Sequence, residues 1–367
     1  MQSSGREPPK LTTPDYGLEN LVAREFVGRR NELDDLAEKL KRSDQVAITA
    51  VSGMGGIGKT ALAQQYVREA KDEYPGGRWY FKVREQNLVS QLVSAATIFG
   101  WQLPDNLPDD RARVKWCYDQ WCHHFPGARL LLLDDVQTYN DIKNLLPQGD
   151  ASFRVLMTSR QRFGKPVDRL DLGVLPIDEA IALLTRLIGD EDRVRQQQTD
   201  AETLCEWVGR LPLGVELIAR YLALHPNVTF TKLQERLHRK RLEAKALNKA
   251  SEEVAYDQLQ GYEEPIKAAF ELSWQDLKQE AKTLMGLLSV FAAAPIPQGL
   301  IVGALPEWDE EDVEYGLDVE LVRRNLLQGD MDGSYQLHQL IREFTADKLK
   351  TELSDQTSAL QKGVADS

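Results

Sequence analysis

The sequence predicts an α/β domain on a parallel sheet, followed by a small all-α helical domain and a winged-helix domain. Three observations carry this expectation. A glycine-rich loop near the start stands between an apolar run and a helical segment. Further on, four consecutive leucines end in two aspartates. After residue 172 helical periodicity takes over, until a short hairpin pattern near the C-terminus.

Residues 1–20, rich in Ser, Pro, Gly and Thr, read as a flexible lead-in to a nucleotide-binding domain over 21–172. Phe26-Val27-Gly28-Arg29 precedes an amphipathic helix carrying Leu33, Leu36 and Leu40. Val46 to Val51 is apolar and reads as a buried strand. Ser52-Gly53-Met54-Gly55-Gly56-Ile57-Gly58-Lys59-Thr60 follows it. From Ala61 onward, Leu62, Ala63, Tyr66 and Val67 fall on one helical face. This is Gly-x4-Gly-Lys-Thr between strand and helix, the phosphate-binding loop of P-loop ATPases. By composition alone such a pattern arises about once in a hundred chains of this length, so a nucleotide site is the reading.

The chemistry explains the residue types. Glycines let successive N–H groups curl round a triphosphate without Cβ atoms in the way. The cofactor-binding set is therefore Gly53, Gly55, Gly56, Ile57, Gly58, Lys59, Thr60 and Ala61. Lys59 reaches the β- and γ-phosphates, the Thr60 hydroxyl holds Mg²⁺, and the helix N-terminus favours the anion. ATP or ADP with Mg²⁺ is the expected ligand.

Arg78 to Val83 is a second strand, with helical segments through about Phe125. Leu130-Leu131-Leu132-Leu133 then reads as a strand buried on both faces, ending in Asp134 and Asp135. Ligands of parallel sheets sit beyond that edge. Asp134 is expected to hold Mg²⁺ through water, and Asp135 to orient or deprotonate the attacking water. Phe153 to Arg160 is another strand, whose Arg160 would report the γ-phosphate; Asp168 to Leu172 closes the domain.

The all-α domain spans 173–248, opening on Pro176 with Asp178 and Glu179 in the first helical turn. Residues 249–262 read as a polar linker. The winged-helix domain covers 263–353, with Asp309 to Arg324 as one of its helices, a hairpin around Gly329 to Gly333 and a last helix beginning near Leu337. Residues 354–367 are expected to be a flexible tail.

Composition narrows the function. A net charge of −12 disfavours a protein that coats nucleic acid. The longest apolar stretch, Leu287 to Leu305, is cut by Pro295 and Pro297, so no membrane helix is expected. Three cysteines point to a reducing, cytoplasmic setting. Cys117 and Cys122 lie five apart on a helix and would face different sides, which speaks against zinc.

Taken in order, these motifs resemble the NB-ARC branch of the signal-transduction ATPases with numerous domains (STAND), a family of apoptosome-forming proteins, plant disease-resistance receptors and bacterial regulators. The likeness runs from about Glu25 to Leu353. It implies that Val27, Gly28 and Arg29 lie at adenine, and that Thr158-Ser159-Arg160 is a sensor. Gly209-Arg210-Leu211-Pro212-Leu213 is similar to a Gly-Leu-Pro-Leu motif whose proline, here Pro212, packs on adenine. Arg210 stands where that motif has glycine. Leu337-His338-Gln339 falls where the family has Met-His-Asp, so His338 is expected at the β-phosphate of ADP, with Gln339 in place of the acid.

The resemblance implies a switch, closed with ADP and self-associating with ATP, with slow hydrolysis as a timer. Effector and sensor parts would come from outside this chain. A DNA-acting ATPase of the replication-initiator kind is the alternative. The acids at 309–320 argue against it, because they repel phosphate. A scaffold without nucleotide is the third reading, opposed by the intact Lys59, Thr60, Asp134 and Asp135.

Overall fold

The computed structural model describes every residue except 1–13, 19–20, 22–25, 51–54, 85–86, 249–259, 293–294, 330–332 and 367. Gly53 and most of the expected linker therefore lie outside the described residues. By contacts the chain divides into two units. One comprises 1–21, 29–53 and 59–172; the other comprises 22–28, 54–58 and 173–367.

The first unit is a five-stranded parallel sheet. Its elements are α1 (Arg30–Arg42), β1 (Gln45–Ala50), α2 (Lys59–Glu69), β2 (Arg78–Lys82), α3 (Leu88–Ile98), α4 (Asp110–His124), β3 (Arg129–Asp134), α5 (Tyr139–Ile142), β4 (Phe153–Thr158) and β5 (Asp168–Leu172). The strand order is β2-β3-β4-β1-β5, every neighbour parallel. β3 is buried along its whole length, as its leucines require. Aromatic rings fill one face: Trp79 stacks on Trp121 at 3.9 Å and on Phe99 at 5.5 Å.

The lead-in expected to be flexible over 1–20 is instead docked where it is described. Tyr16 bridges to Trp79 of β2, exchanging backbone bonds with Arg78 and Tyr80 at 3.0 Å each. Asp15 pairs with Arg78 at 2.6 Å, and the Trp79 indole donates to Pro14 at 3.0 Å. The reason is the free edge of β2, which offers unpaired backbone groups that a polar segment can satisfy.

The second unit contains α6 (Ile177–Ile188), α7 (Glu191–Gln196), α8 (Gln198–Trp207), α9 (Pro212–Leu224), α10 (Phe230–Asn248), α11 (Gln260–Gln275) and α12 (Gln279–Val290). Then come β6 (Ile296–Pro297), α13 (Gln298–Gly303), α14 (Glu310–Tyr315), a π-helical turn (Gly316–Val322), β7 (Gln328–Gly329), β8 (Ser334–Gln336), α15 (Gln339–Thr351) and α16 (Ser354–Asp366). β6, β8 and β7 form a small antiparallel sheet in that order. Three corrections follow. Residues 260–262, placed in the linker by sequence, are the first turn of α11. The helix expected over 309–324 is interrupted by the π turn. The tail expected to be flexible over 354–367 is α16 up to Asp366. Its Leu360 is buried and closes, with Leu349 and Leu353, on Gly286 of α12, a long-range contact that a mostly polar segment does not advertise.

The α8–α9 corner shows why Arg210 stands out. The N–H of Gly209 bonds to Glu206 at 2.9 Å and that of Arg210 to Cys205 at 2.8 Å, which closes α8 with a Schellman motif. Both residues are left-handed, at φ 67° and 52°. Glycine takes that conformation freely, whereas arginine pays about 1–2 kcal/mol. Arg210→Gly is therefore expected to stabilise the protein by up to about 1 kcal/mol, after the entropic cost of a glycine. Urea unfolding would check it, and a loss of stability would contradict the argument.

Candidate nucleotide-binding site

In the first unit, Asp134 at the end of β3 collects three hydroxyls. Thr60, in the first turn of α2, donates to its Oδ1 at 2.8 Å, Thr158 at the end of β4 donates to the same oxygen at 2.5 Å, and Tyr80 of β2 donates to Oδ2 at 3.2 Å. Asp134 is buried, so these bonds offset its desolvation. Thr60 and Thr158 belong to motifs visible in the sequence, whereas Tyr80 reads there only as a strand residue, and the β2–β3 register, with Lys82 opposite Asp134, is what turns it to the acid.

Asp135 is left-handed, at φ 57°. Its N–H donates to Thr158 Oγ1 at 2.9 Å, and the next N–H, of Val136, donates to the Thr158 carbonyl at 2.8 Å. A non-glycine residue held in this region by β4 is strain of the kind that gathers at functional sites. Its carboxylate pairs with Arg84 at 3.2 Å, a partner the sequence did not single out. Lys59 opens α2. Burial first, and then the charge of Arg160, lower its ammonium to about 8, while Asp135 and Asp134 act in the opposite sense. Arg160 follows Ser159, whose hydroxyl ties the β4 end to the Val136 carbonyl at 2.7 Å.

The residues fit a magnesium ion. The Thr60 hydroxyl gives its hydrogen to Asp134 Oδ1 at 2.8 Å, which leaves its oxygen lone pairs for the ion and sets the carboxylate beside it, where it would accept from a water of the ion. Among the described residues no cluster of three or more His, Cys, Asp or Glu side chains could hold a metal, and Mg²⁺ ordinarily takes few carboxylates together with phosphate oxygens and water. Cys117 lies in the core, where burial pushes its thiol up to about 12, whereas half-buried Cys122 bonds to Asp150.

Arg29, also in the first unit, is buried and left-handed at φ 62°, with its guanidinium on Glu32 at 2.6 Å. In the second unit Val27 is half-buried, and Gly28 has φ 73°. That positive φ favours glycine, and a Cβ on Gly28 would also lie 2.2 Å from the Glu179 carboxyl carbon, so the Glu179 side chain of α6 would have to turn aside.

The loop residues 54–58 belong to the second unit as well. Ile57 is fully buried. Pro212, at the head of α9, lies 3.6 Å from where a Cβ on Gly58 would stand, and the Leu213 N–H meets the Gly56 carbonyl at 3.4 Å. His338 is the N-cap of α15, its Nδ1 accepting from the Leu340 N–H at 3.2 Å. Leu340 in turn lies 3.1 Å from where a Cβ on Gly55 would stand. Within this unit, then, the loop glycines, Pro212 and the head of α15 come together.

Among the described residues no helix is long and apolar enough to cross a membrane. Residues 29–192 match the NB-ARC domain. The chain is 28% identical over 344 residues to Regulatory protein AfsR of Streptomyces coelicolor, covering 87% of this chain and 32% of that protein. It is 24% identical over 366 residues to the probable disease resistance RPP8-like protein 2 of Arabidopsis thaliana, covering 89% and 38%. It thus spans about a third of the length of these relatives. A STAND protein with a tetratricopeptide repeat sensor from Pyrococcus horikoshii shares the fold at TM-score 0.60 and 19% identity, over 93% of this chain and 46% of that one. With its phosphate loop and strand-end acids, the chain thus carries a match to the NB-ARC domain over residues 29–192 and is similar over most of its length to these regulators and resistance proteins.

Proposed function

We propose that this chain is the nucleotide-switch core of a signalling ATPase, closed with ADP and able to self-associate with ATP, with slow Mg²⁺-dependent hydrolysis resetting it. The observation that carries the reading is the seat of Leu340. Two residues past His338, it rests against Gly55 and Gly56 of the phosphate loop, so the head of α15 is placed to feel what the loop holds. Pro212 beside Gly58 extends the same argument to α9.

The roles follow from the chemistry. Thr60 and Asp134 would hold Mg²⁺, which neutralises charge on the transferring phosphoryl group. Lys59 would meet the β- and γ-phosphates, and Arg160 the γ-phosphate. Asp135 would take the proton of the attacking water. Val27, Gly28 and Arg29 would line adenine with Pro212. His338 accepts through Nδ1, which in the neutral ring puts its hydrogen on Nε2, and that N–H is the one we assign to a phosphate oxygen beside a helix N-terminus. We read the segment from 263 onward, with its small antiparallel sheet, as a winged-helix domain that leaves the loop when ATP replaces ADP. Such a device is biased only by the difference in each state's affinity for the two nucleotides. Effector and sensor partners outside this chain, and a cytoplasmic setting, belong to the same proposal. The DNA-acting alternative is disfavoured by the exposed acids Asp309, Glu310, Glu311, Asp312 and Glu314 on and beside α14.

His338→Ala tests the switch. A hydrogen bond to a charged group is worth roughly 1.5–3 kcal/mol, so ADP release should quicken about ten- to a hundredfold while nucleotide still binds. Stopped-flow displacement of a fluorescent ADP would measure it, and an unchanged off-rate would reduce His338 to a helix cap. Sizing by ultracentrifugation, with ADP and then with Mg²⁺-ATP, should show growth only in the second. The same size in both would overturn the assembly part of the reading.

A further inference from the structure

We propose that Arg84 is a positioning residue that holds the Asp135 carboxylate off the attacking water and so keeps ATP hydrolysis slow. This rests on the reading of Asp135 as the proton acceptor. The β2–β3 ladder pairs Lys82 with Asp134, and the Val83 N–H continues it by donating to the Asp134 carbonyl at 3.0 Å. Residues 84 and 135 therefore leave the two strands side by side. Gln91 of α3 fixes the β2 end by donating to the Lys82 carbonyl at 2.8 Å. From there Arg84 donates to Asp135 Oδ2 at 3.2 Å.

The Asp135 backbone is pinned from the other side by Thr158. Only its side chain is left to turn, and the guanidinium turns it toward the end of β2. Asp134 is held differently, by the hydroxyls of Thr60, Thr158 and Tyr80, and is untouched by this device. In hydrolysis the water oxygen bonds to the γ-phosphorus while the bond to the β–γ bridging oxygen breaks. That electron pair leaves with ADP, and the water's proton passes to the Asp135 carboxylate. An oxygen engaged by Arg84 must first give up that bond. Both partners are about one-third exposed, at 30% and 34%, and a pair of this kind shifts an equilibrium by up to about fivefold.

ATP turnover of Arg84→Ala is therefore expected to rise about three- to fivefold in kcat with KM unchanged. Arg84→Lys, which keeps a single N–H···O contact, should return to the wild-type rate. Arg84→Ala in an Asp135→Asn background should be no faster than Asp135→Asn alone. In nucleotide-free protein, the melting temperatures of the two single variants and the double should be non-additive by about 1 °C. Unchanged or slower turnover in Arg84→Ala, or additive melting shifts, would overturn the proposal. If Asp135→Asn itself hydrolyses ATP like wild type, the assignment of Asp135 fails, whatever Arg84 does. If Asp135→Asn is slow and Arg84→Ala is no faster, only the role of Arg84 fails.

Discussion

Lys59→Ala is expected to weaken ADP and ATP binding about a hundredfold or more, while the protein stays folded. The ammonium opens α2 from a half-buried position, and desolvation together with Arg160 holds it down to about 8. A folded value below the unfolded 10.5 means that the charge costs stability below about pH 8, and that this cost fades as pH rises toward 10.5. Without nucleotide, then, the alanine variant should melt no lower than wild type. With nucleotide the order reverses, since the cation gains a phosphate partner only in the wild type. At ligand a hundred times the dissociation constant, binding adds about 2.7 kcal/mol of stability, and the variant should lose nearly all of it. Thermal melting with and without ADP separates the two effects. An ADP-induced shift of wild-type size in Lys59→Ala would remove the lysine from the site.

The second large effect separates the two acids. Asp135→Asn should slow hydrolysis about a hundredfold or more, because general-base assistance is typically worth about 10²–10⁴, yet leave Mg²⁺-ATP binding intact. Asp134→Asn should act on binding instead. It removes one charge where Thr60, Thr158 and Tyr80 all donate, and the amide can no longer accept on both sides. Its ATP affinity should lose most of its dependence on Mg²⁺. Isothermal titration with and without Mg²⁺, alongside single-turnover hydrolysis, distinguishes the pair. If both variants turn over like wild type, the end of β3 is not the catalytic edge.

Much of this site is written in contiguous residues. The loop before Lys59 needs glycine, lysine and threonine at fixed spacing, because one short segment must wrap an anion. The leucines of β3 announce a strand buried on both faces, with its acids at the edge. Helices α6 and α15 show their periodicity and their starts, α6 opening just after Pro176.

Contacts between distant residues were not legible in this way. Arg84 and Tyr80 gain their meaning only from the pairing of β2 with β3, and sequence spacing does not encode register between strands some fifty residues apart. The docking of Tyr16 on β2 and the burial of Leu360 against α12 hide in polar segments, because one well-placed contact leaves no periodic trace.

By itself the sequence determined the strand–loop–helix chemistry of the phosphate loop, the acids at the end of β3 and the change from sheet to helices after residue 172. The reason is that local spacing governs backbone conformation and which side chains share a face. Only the tertiary structure decided the strand order β2-β3-β4-β1-β5, the partners of Asp134 and Asp135, and the seat of Leu340 against Gly55. Those depend on which surfaces meet across the chain, where burial and hydrogen-bond satisfaction select among pairings that short-range pattern leaves equal.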